Sequence, residues 1–259
     1  MLLPRLIPCL LIHKNQLYKS VNFKEYKYIG DPINTVRIFN EFNVDELIIL
    51  DIDCTSKNLE PNYFLIERLA AEARMPICYG GGIKNINQAK KIFKLGVEKI
   101  ALSSAAILNP EFIKDVGKEV GVQSVVVILD IKKDDKYYIY INNGTKRMDI
   151  DIKEYLIKIQ EYGVGEIVLN SIDKDGLMTG YDLNLIKEFA EVINVPLTVL
   201  GGVGSYSHFK DAVDNFDLLG LAAGSFFVFK GKYRAVLLSY PNIETKKEIF
   251  SNFISKFYS

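Results

Sequence analysis

Residues 43–53 read NVDELIILDID, and residues 163–173 read GVGEIVLNSID, an equivalent stretch that lies 120 positions further along the chain. In both, an acidic residue is followed by an apolar run of the kind that forms a buried strand. The next strand repeats at the same distance, as PICYGGG at residues 76–82 and PLTVLGG at residues 196–202. A repeat that includes strands and glycine-rich turns predicts a chain made of two similar halves.

The whole chain continues this alternation of apolar runs with stretches of helical period. Eight runs qualify as strands: LIPCLLI, ELIILD, PICYG, KIALSS, SVVVILD, EIVLNS, PLTVLGG and LLGLAAG. Strands that are apolar on both faces and separated by helices indicate a parallel sheet. Eight such units in 259 residues fit a closed (β/α)8 TIM barrel better than an open sheet. We therefore predict one α/β domain over residues 1–259, built from two (β/α)4 half-barrels.

One insertion interrupts the regular pattern after the fifth predicted strand. The segment KYYIYINNGTKRMDID, residues 136–151, alternates on both sides of Asn143 and Gly144. Asn-Gly between two alternating runs is the strongest short signal for a β-hairpin. The sequence thus predicts a hairpin insert at this point.

Charge and cysteine usage limit the classes of partner. Lys and Arg total 32 and Asp and Glu total 32, so no global basic field favours nucleic acid or anionic lipid. Cys9, Cys54 and Cys78 show no metal-binding spacing, which indicates reduced thiols and a cytoplasmic protein. No apolar run is long enough for a membrane span, and the N-terminus does not read as a signal peptide. We expect no metal and no cofactor.

Two glycine-rich turns predict anion sites at the barrel mouth. Each follows a predicted strand and precedes a helix, where backbone N–H groups can bind a phosphate. The first cluster comprises Gly80, Gly81, Gly82, Ser103 and Ser104, and the second comprises Gly201, Gly202, Gly204, Gly224 and Ser225. Tight turns alone would also explain any one cluster. Paired clusters at the strand ends where barrel ligands usually bind favour phosphate binding.

The opposite ends of the strands carry a second set of charges. Arg5, Glu46, Lys99 and Glu166 each stand at the N-terminal edge of an apolar run. Two cations and two carboxylates there can close a salt-bridged ring at the barrel bottom. A structural plug and a functional gate are equally compatible with this pattern, because charges that enter a dry barrel must be paired in either case.

The whole chain resembles the cyclase subunit of imidazole glycerol phosphate synthase, the HisF family of histidine biosynthesis. The matching segments are NFKEYKYIGDP, DELIILDI, GGGI, SIDKDG and the GS of AAGSFFVF. The resemblance implies a half-barrel repeat protein that receives ammonia from a partner glutaminase, HisH in that family, at the barrel bottom. It implies that Arg5, Glu46, Lys99 and Glu166 are the ammonia gate.

The resemblance also implies roles at the mouth. Lys19, Asp175 and Gly176 match the family's substrate loops, and Asp51 matches a family acid that we expect to orient the substrate. Cyclisation requires protons to be delivered and removed at separate places. A pair of carboxylates can do this, one as general acid and the other as general base. The family has this pair at the tips of strands one and five. Asp130 remains here as the predicted general acid or base, whereas Leu11 occupies the position of the other acid.

Three functions stay open at this stage. The preferred one is a paralogue that passes ammonia to another acceptor, most simply converting an acetamido to an acetamidino group on a surface-glycan sugar. Phosphorylated compounds and nucleotide sugars both suit the two anion sites. The second is the histidine-pathway cyclase itself, and the third is a non-catalytic barrel that activates a glutaminase.

Overall fold

The computed structural model describes residues 4–218 and 220–258. Its β-strands, in chain order, are β1 Arg5–His13, β2 Gln16–Lys19, β3 Lys27–Gly30, β4 Leu47–Asp51, β5 Ile77–Gly80, β6 Lys99–Leu102, β7 Val125–Lys133, β8 Tyr137–Ile141, β9 Lys146–Met148, β10 Glu166–Ser171, β11 Leu197–Leu200, β12 Gly220–Ala223, β13 Phe229–Lys230 and β14 Ala235–Val236.

Eight of these strands form a closed parallel barrel. The neighbours run β10, β11, β12, β1, β4, β5, β6 and β7, and β7 pairs with β10 to close the circle. These are the eight strands that the apolar runs predict, so the predicted (β/α)8 barrel is confirmed. β1 and β7 stand four strands apart and therefore occupy opposite walls.

Helices surround the barrel on its outer side. They are α1 Pro32–Glu41, α2 Ile52–Ser56, α3 Tyr63–Glu72, α4 Ile86–Lys94, α5 Ser104–Leu108, α6 Glu111–Val120, α7 Ile152–Glu161, α8 Leu183–Phe189, α9 Tyr206–Asn215, α10 Ser225–Val228, α11 Ile243–Ile249 and α12 Ser251–Tyr258. Asx residues begin several of them: the side chains of Asp31, Asn62 and Asn85 accept hydrogen bonds from the first turns. No helix within residues 4–218 and 220–258 is long and apolar enough to cross a membrane.

The barrel interior is filled by small and medium apolar side chains. This inner cluster comprises Ile7, Cys9, Ile48, Cys78, Ala101, Val126, Ile128, Val168, Leu200 and Ala222. Leu11 and Leu50 pack on it from the mouth. Burial raises the pKa of Cys9 to about 11, so this thiol is protonated at neutral pH. The interior is therefore uncharged between its two ends.

Both halves of the barrel extend their first strand into antiparallel strands above the mouth. In the second half, β7 pairs with β8 and β8 pairs with β9. In the first half, β1 pairs with β2 and β2 with β3, which the sequence reading missed. Lys14 and Asn15 form the first turn with φ of 52° and 59°, values typical of a type I′ hairpin turn.

The two extensions meet over the cavity. Phe23, in the loop between β2 and β3, packs against Tyr138, Tyr140 and Ile172. Asn22 Nδ2 donates to the carbonyl oxygens of Ile172 and Asp173 at 3.3 and 3.2 Å. The loop after β2 is thereby held across the mouth.

Candidate active site

A cavity of about 370 Å³ occupies the mouth, at the carboxyl ends of the barrel strands. It falls within the range of small-molecule sites. The predicted mouth residues that line it are Leu11, Lys19, Asp51, Gly80, Gly81, Gly82, Ser103, Ser104, Asp130, Asp175, Gly176, Gly201, Gly202, Gly224 and Ser225. The fold thus brings together the substrate-loop, glycine-cluster and acid positions selected from the sequence, whereas Gly204 is not among the lining residues.

The first glycine cluster is shaped by close backbone approach. Gly81 and Gly82 have φ of 129° and 71°, which L-residues rarely adopt. A Cβ atom at Gly81 would overlap the carbonyl oxygen of Asp51. Ser103 and Ser104 begin the adjacent helix α5. Glycine is therefore required for the turn itself. Because glycine has no side chain, the backbone groups of the turn border the cavity without side-chain cover.

The second cluster repeats this construction on the opposite side. Gly201 and Gly202 have φ of 100° and 103°, and a Cβ atom at Gly202 would overlap the carbonyl oxygen of Gly180. Gly224 and Ser225 begin α10. The two clusters follow β5 and β6 in one half and β11 and β12 in the other. Their placement agrees with a ligand that carries two separated anionic groups.

Lys19 places its amine beside the second cluster. It lies at the end of β2, is 6% exposed, and donates through Nζ to the carbonyl oxygen of Cys9. A Cβ atom at Gly224 would overlap Lys19 Nζ, so the absent side chain makes the room that the ammonium occupies. Burial lowers the pKa of Lys19, and the neighbouring Cys9 and Asp175 oppose this shift. Lys19 is therefore a buried amine rather than a solvated loop residue.

The loop that contains Asp175 and Gly176 is fixed against the loop after β2. Ser20 Oγ donates to Asp175 Oδ2 at 2.7 Å, and burial raises the pKa of Asp175. Gly176 has φ of 71°, and a Cβ atom there would overlap the carbonyl oxygen of Ser20. These contacts bring the two predicted substrate loops into one wall.

Asp51 has a local structural role. Its Oδ1 accepts hydrogen bonds from the backbone N–H groups of Asp53 and Cys54 at 3.0 and 3.3 Å, and so it caps α2. Burial raises its pKa. Beside it, His13 Nδ1 and Asp53 Oδ1 lie 2.8 Å apart, and the His13 ring stacks on Tyr26 with centroids 5.1 Å apart. Tyr26 lines the cavity, so this stack forms part of its rim.

Asp130 is the acid on β7, one residue before the last one that this strand pairs with β10. Burial raises its pKa to about 7, although a hydrogen bond from Asn170 opposes the shift. Asn170 Nδ2 donates to Asp130 Oδ1 at 2.8 Å. The sequence reading missed Asn170, which is 4% exposed and lines the cavity. The 120-residue repeat could have indicated this residue, because it aligns the polar Asn170 with the apolar Leu50.

The wall opposite Asp130 is apolar. Leu11 and Leu50 are direct register partners on β1 and β4. Asp130 and Asn170 are direct register partners on β7 and β10. The two pairs are equivalent under the repeat, so one half presents two leucines where the other presents an acid and an amide.

The ring of charges at the barrel bottom is closed. Arg5 contacts both Glu46 and Glu166, the latter at 2.8 Å, and Lys99 Nζ lies 2.9 Å from an oxygen of each carboxylate. Thr198 Oγ1 also donates to Glu166. Burial acts to raise the pKa of Glu166, but Arg5 and Lys99 outweigh it and lower the pKa. Burial likewise acts to lower the pKa of Lys99, and Glu166 and Glu46 outweigh it.

Within the described ranges, 4–218 and 220–258, no group of three or more His, Cys, Asp or Glu side chains is placed to hold a metal ion.

A closed (β/α)8 barrel with a cavity at the carboxyl ends of its strands is the architecture in which barrel enzymes hold their active sites. The chain belongs to the HisF family of histidine biosynthesis proteins, whose family model, described as histidine biosynthesis protein, matches residues 5–234.

Relatives of this chain include proteins at different levels of identity. The subunit hisF3 of Vibrio vulnificus strain YJ016, provisionally named an imidazole glycerol phosphate synthase subunit, is 52% identical over 251 residues, 96% of each chain. A HisF of Leptospira borgpetersenii, also provisionally named, is 50% identical over 253 residues, 96% of this chain and 100% of the relative. The imidazole glycerol phosphate synthase subunit HisF of Streptococcus mutans is 36% identical over 229 residues, 88% of this chain and 91% of the relative.

Proposed function

We propose that this chain is the ammonia-using barrel subunit of a glutamine amidotransferase, with a HisH-like glutaminase bound to the barrel bottom. The observation that carries the proposal is the ring of Arg5, Glu46, Lys99 and Glu166 beneath an uncharged interior. A buried ion-pair ring is a costly way to plug a barrel, since apolar residues of similar volume are often as stable or more so. A gate explains why charges are kept there.

The interior suits the passage of ammonia. Between the ring and the cavity, the inner cluster is made of aliphatic side chains and protonated thiols such as Cys9. Neutral ammonia crosses such a space at far lower cost than ammonium, because an unpaired charge in an apolar interior is strongly disfavoured. Water that could protonate ammonia is kept out by the same side chains.

We propose an acceptor other than the histidine-pathway intermediate. Imidazole formation calls for two separate proton-transfer groups, and Leu11 removes one of them. The acceptor that we favour is an acetamido sugar with a phosphate or nucleotide diphosphate, destined for a surface glycan. A separate amidating enzyme would first transfer a phosphoryl or adenylyl group from a nucleoside triphosphate to the amide oxygen. Ammonia nitrogen then bonds to the amide carbon, the carbon–oxygen bond breaks, and the oxygen leaves with that group as phosphate or nucleoside monophosphate, while the surplus proton passes to solvent.

The test is reconstitution with the glutaminase that is encoded beside this chain. We expect the barrel to co-purify with it and to increase glutamate release from glutamine, and we expect Lys99→Met to weaken this effect at unchanged binding. The matched control is Lys90→Met, which removes an exposed lysine paired with Glu119. Failure to bind and to stimulate any neighbouring glutaminase contradicts the proposal.

A further inference from the structure

Asn170 is a buried amide that uses one of its two hydrogen-bonding groups. Its Nδ2 donates to Asp130 Oδ1 at 2.8 Å, whereas its own Oδ1 is buried and has no hydrogen-bond partner in the described part of the chain. An unpaired buried acceptor is costly and rare in native proteins. This one belongs to the side chain that holds the acid of the cavity, so we looked for its explanation in the chemistry of that acid.

The Asn170 amide has two orientations of nearly the same shape. The terminal torsion of an Asn side chain is broad and roughly two-fold, and a rotation of about 180° exchanges the positions of Oδ1 and Nδ2. Either orientation places one amide group against Asp130 and the other on the side where Oδ1 now has no partner. The choice between the two orientations therefore depends on what Asp130 presents to the amide.

Asp130 presents opposite groups in its two protonation states. An ionised carboxylate only accepts hydrogen bonds, whereas a protonated carboxyl group can also donate one through its O–H. The ionised acid thus matches Nδ2, which it contacts in the structure, and the protonated acid matches Oδ1. An amide that could not rotate would serve the ionised state alone.

We propose that the Asn170 amide rotates with the protonation of Asp130, with Nδ2 facing the ionised carboxylate and Oδ1 facing the protonated acid. The carboxyl group then keeps a hydrogen bond to the same side chain while its proton is gained or lost. Asn170 is a positioning residue, because it acts through Asp130. Its part in turnover rests on the proposed function, but the rotation belongs to the barrel itself and is measured without ammonia, acceptor or glutaminase.

The surroundings of Asp130 make both states available near neutral pH. Burial raises the pKa of this acid to about 7, and the nearby Asp175 carboxylate adds to the shift. Cys9 faces it from β1 as a protonated thiol, and Lys19 donates to the backbone carbonyl of Cys9. Tyr140, its register partner on β8, donates its hydroxyl to another carboxylate.

Gly201 provides a marker for the rotation. A Cβ atom at Gly201 would lie 3.3 Å from Asn170 Oδ1, so the glycine hydrogen in that direction lies close to whichever amide group occupies the position. Nuclear Overhauser cross-peaks between the Asn170 side-chain NH2 and Gly201 Hα should be strong at about pH 5 and weak at about pH 9, two units either side of the pKa of Asp130. Their midpoint should equal that of the carbon-13 shift of Asp130 Cγ. Cross-peaks that stay constant through this titration overturn the inference, which is also the result expected if a water molecule occupies Oδ1 in both states.

A variant measures the hydrogen bond itself. Asn170→Leu removes the bond in both states of the acid at similar side-chain volume. The ionised acid loses more, because hydrogen bonds to charged groups are about twice as strong as neutral ones, so the pKa of Asp130 should rise by about one unit. Asn194→Leu, exposed at the opposite end of the barrel, is the matched control and should leave this pKa unchanged.

The outcomes separate this inference from the proposed function. An unchanged or lower pKa of Asp130 in Asn170→Leu overturns the rotation. If that variant does not fold, the cross-peaks of the wild-type protein decide alone. A barrel that shows the rotation but fails to stimulate any glutaminase would instead contradict the proposed function and leave the inference standing.

Discussion

Asn170 and Asp130 face each other across neighbouring barrel strands, with Asn170 Nδ2 donating to Asp130 Oδ1 at 2.8 Å. This bond stabilises the ionised carboxylate, whereas burial disfavours it, and burial prevails to raise the pKa of Asp130 to about 7. The acid is therefore available in both protonation states near neutral pH, as a proton-transfer group requires.

Asp130→Asn should stabilise the protein in a pH-dependent manner. An acid with a higher pKa in the folded state binds its proton more tightly there, so the free energy of unfolding falls as pH rises from about 4 to about 7. The variant has no acid that titrates at this position. Its free energy of unfolding should therefore exceed that of the wild type by up to about 4 kcal/mol at pH 8 and by almost nothing at pH 4. Urea unfolding at the two pH values measures it. An equal gain in the free energy of unfolding at both pH values would mean that the pKa of Asp130 is not raised in the folded state.

The same variant should lose activity. We expect Asp130→Asn to lower ammonia-dependent turnover by about two to four orders of magnitude, the usual contribution of a positioned proton-transfer group. The assay uses ammonium salt and the acceptor on which the wild-type protein is active. Normal turnover would make Asp130 a structural acid and would favour a non-catalytic barrel.

Breaking the ring at the barrel bottom should be costly for stability. Lys99→Met leaves Glu46 and Glu166 with one cation between them, and we expect a loss of about 3 kcal/mol. Lys99→Met/Glu46→Gln keeps the Arg5–Glu166 pair and should recover part of that loss. Denaturant midpoints of the two variants decide the matter, and a double variant less stable than the single one would contradict pairing within the ring.

Gly224→Ala should displace Lys19. Gly224 has φ of −97°, so alanine brings no backbone strain, but its Cβ would overlap Lys19 Nζ. Because a charged hydrogen bond contributes about 1.5–3 kcal/mol, affinity for pyrophosphate should fall roughly tenfold to a hundredfold. Gly117→Ala in α6 is the matched control, with its nearest contact at 3.5 Å. Equal affinities in the two variants would exclude Lys19 from anion binding.

Leu11 predicts the absence of cyclase chemistry. With excess ammonium, which bypasses any glutaminase, the wild-type protein should form little or no imidazole product from the histidine-pathway substrate. Leu11→Asp should restore at most part of it, because His13, Lys14 and Asn15 also depart from the family sequence. Chromatography of the product is the measurement. A wild-type rate near that of ordinary family members would identify the chain as a histidine-pathway cyclase.

The barrel could be predicted because its signals are local and repeated. Eight apolar runs, each followed by a helical stretch, leave few alternative topologies, and the glycine turns mark the ends of the strands at the mouth. The first-half extension was missed because β2 and β3 have only four residues each, too few for alternation to be visible. Its turn at Lys14 and Asn15 contains no glycine, unlike the β8–β9 turn at Asn143 and Gly144.

Asn170 could not be selected from its own stretch. In EIVLNS it reads as the polar end of a buried strand, and its significance depends on Asp130, a residue 40 positions away. Only the closing pair of the barrel, β7 with β10, brings the two side chains together. Likewise, Lys19 looks like a solvated loop residue until the space left by Gly224 is known.

The split between a leucine half and an acid–amide half has a consequence for engineering. A chimera assembled from two second halves would place Asp130 and Asn170 on both walls and so regain two acids facing one another. A chimera of two first halves would have four leucines and no acid. Each could retain the strand pairings of the barrel, so that the chemistry of the mouth would follow from the choice of half rather than from the scaffold.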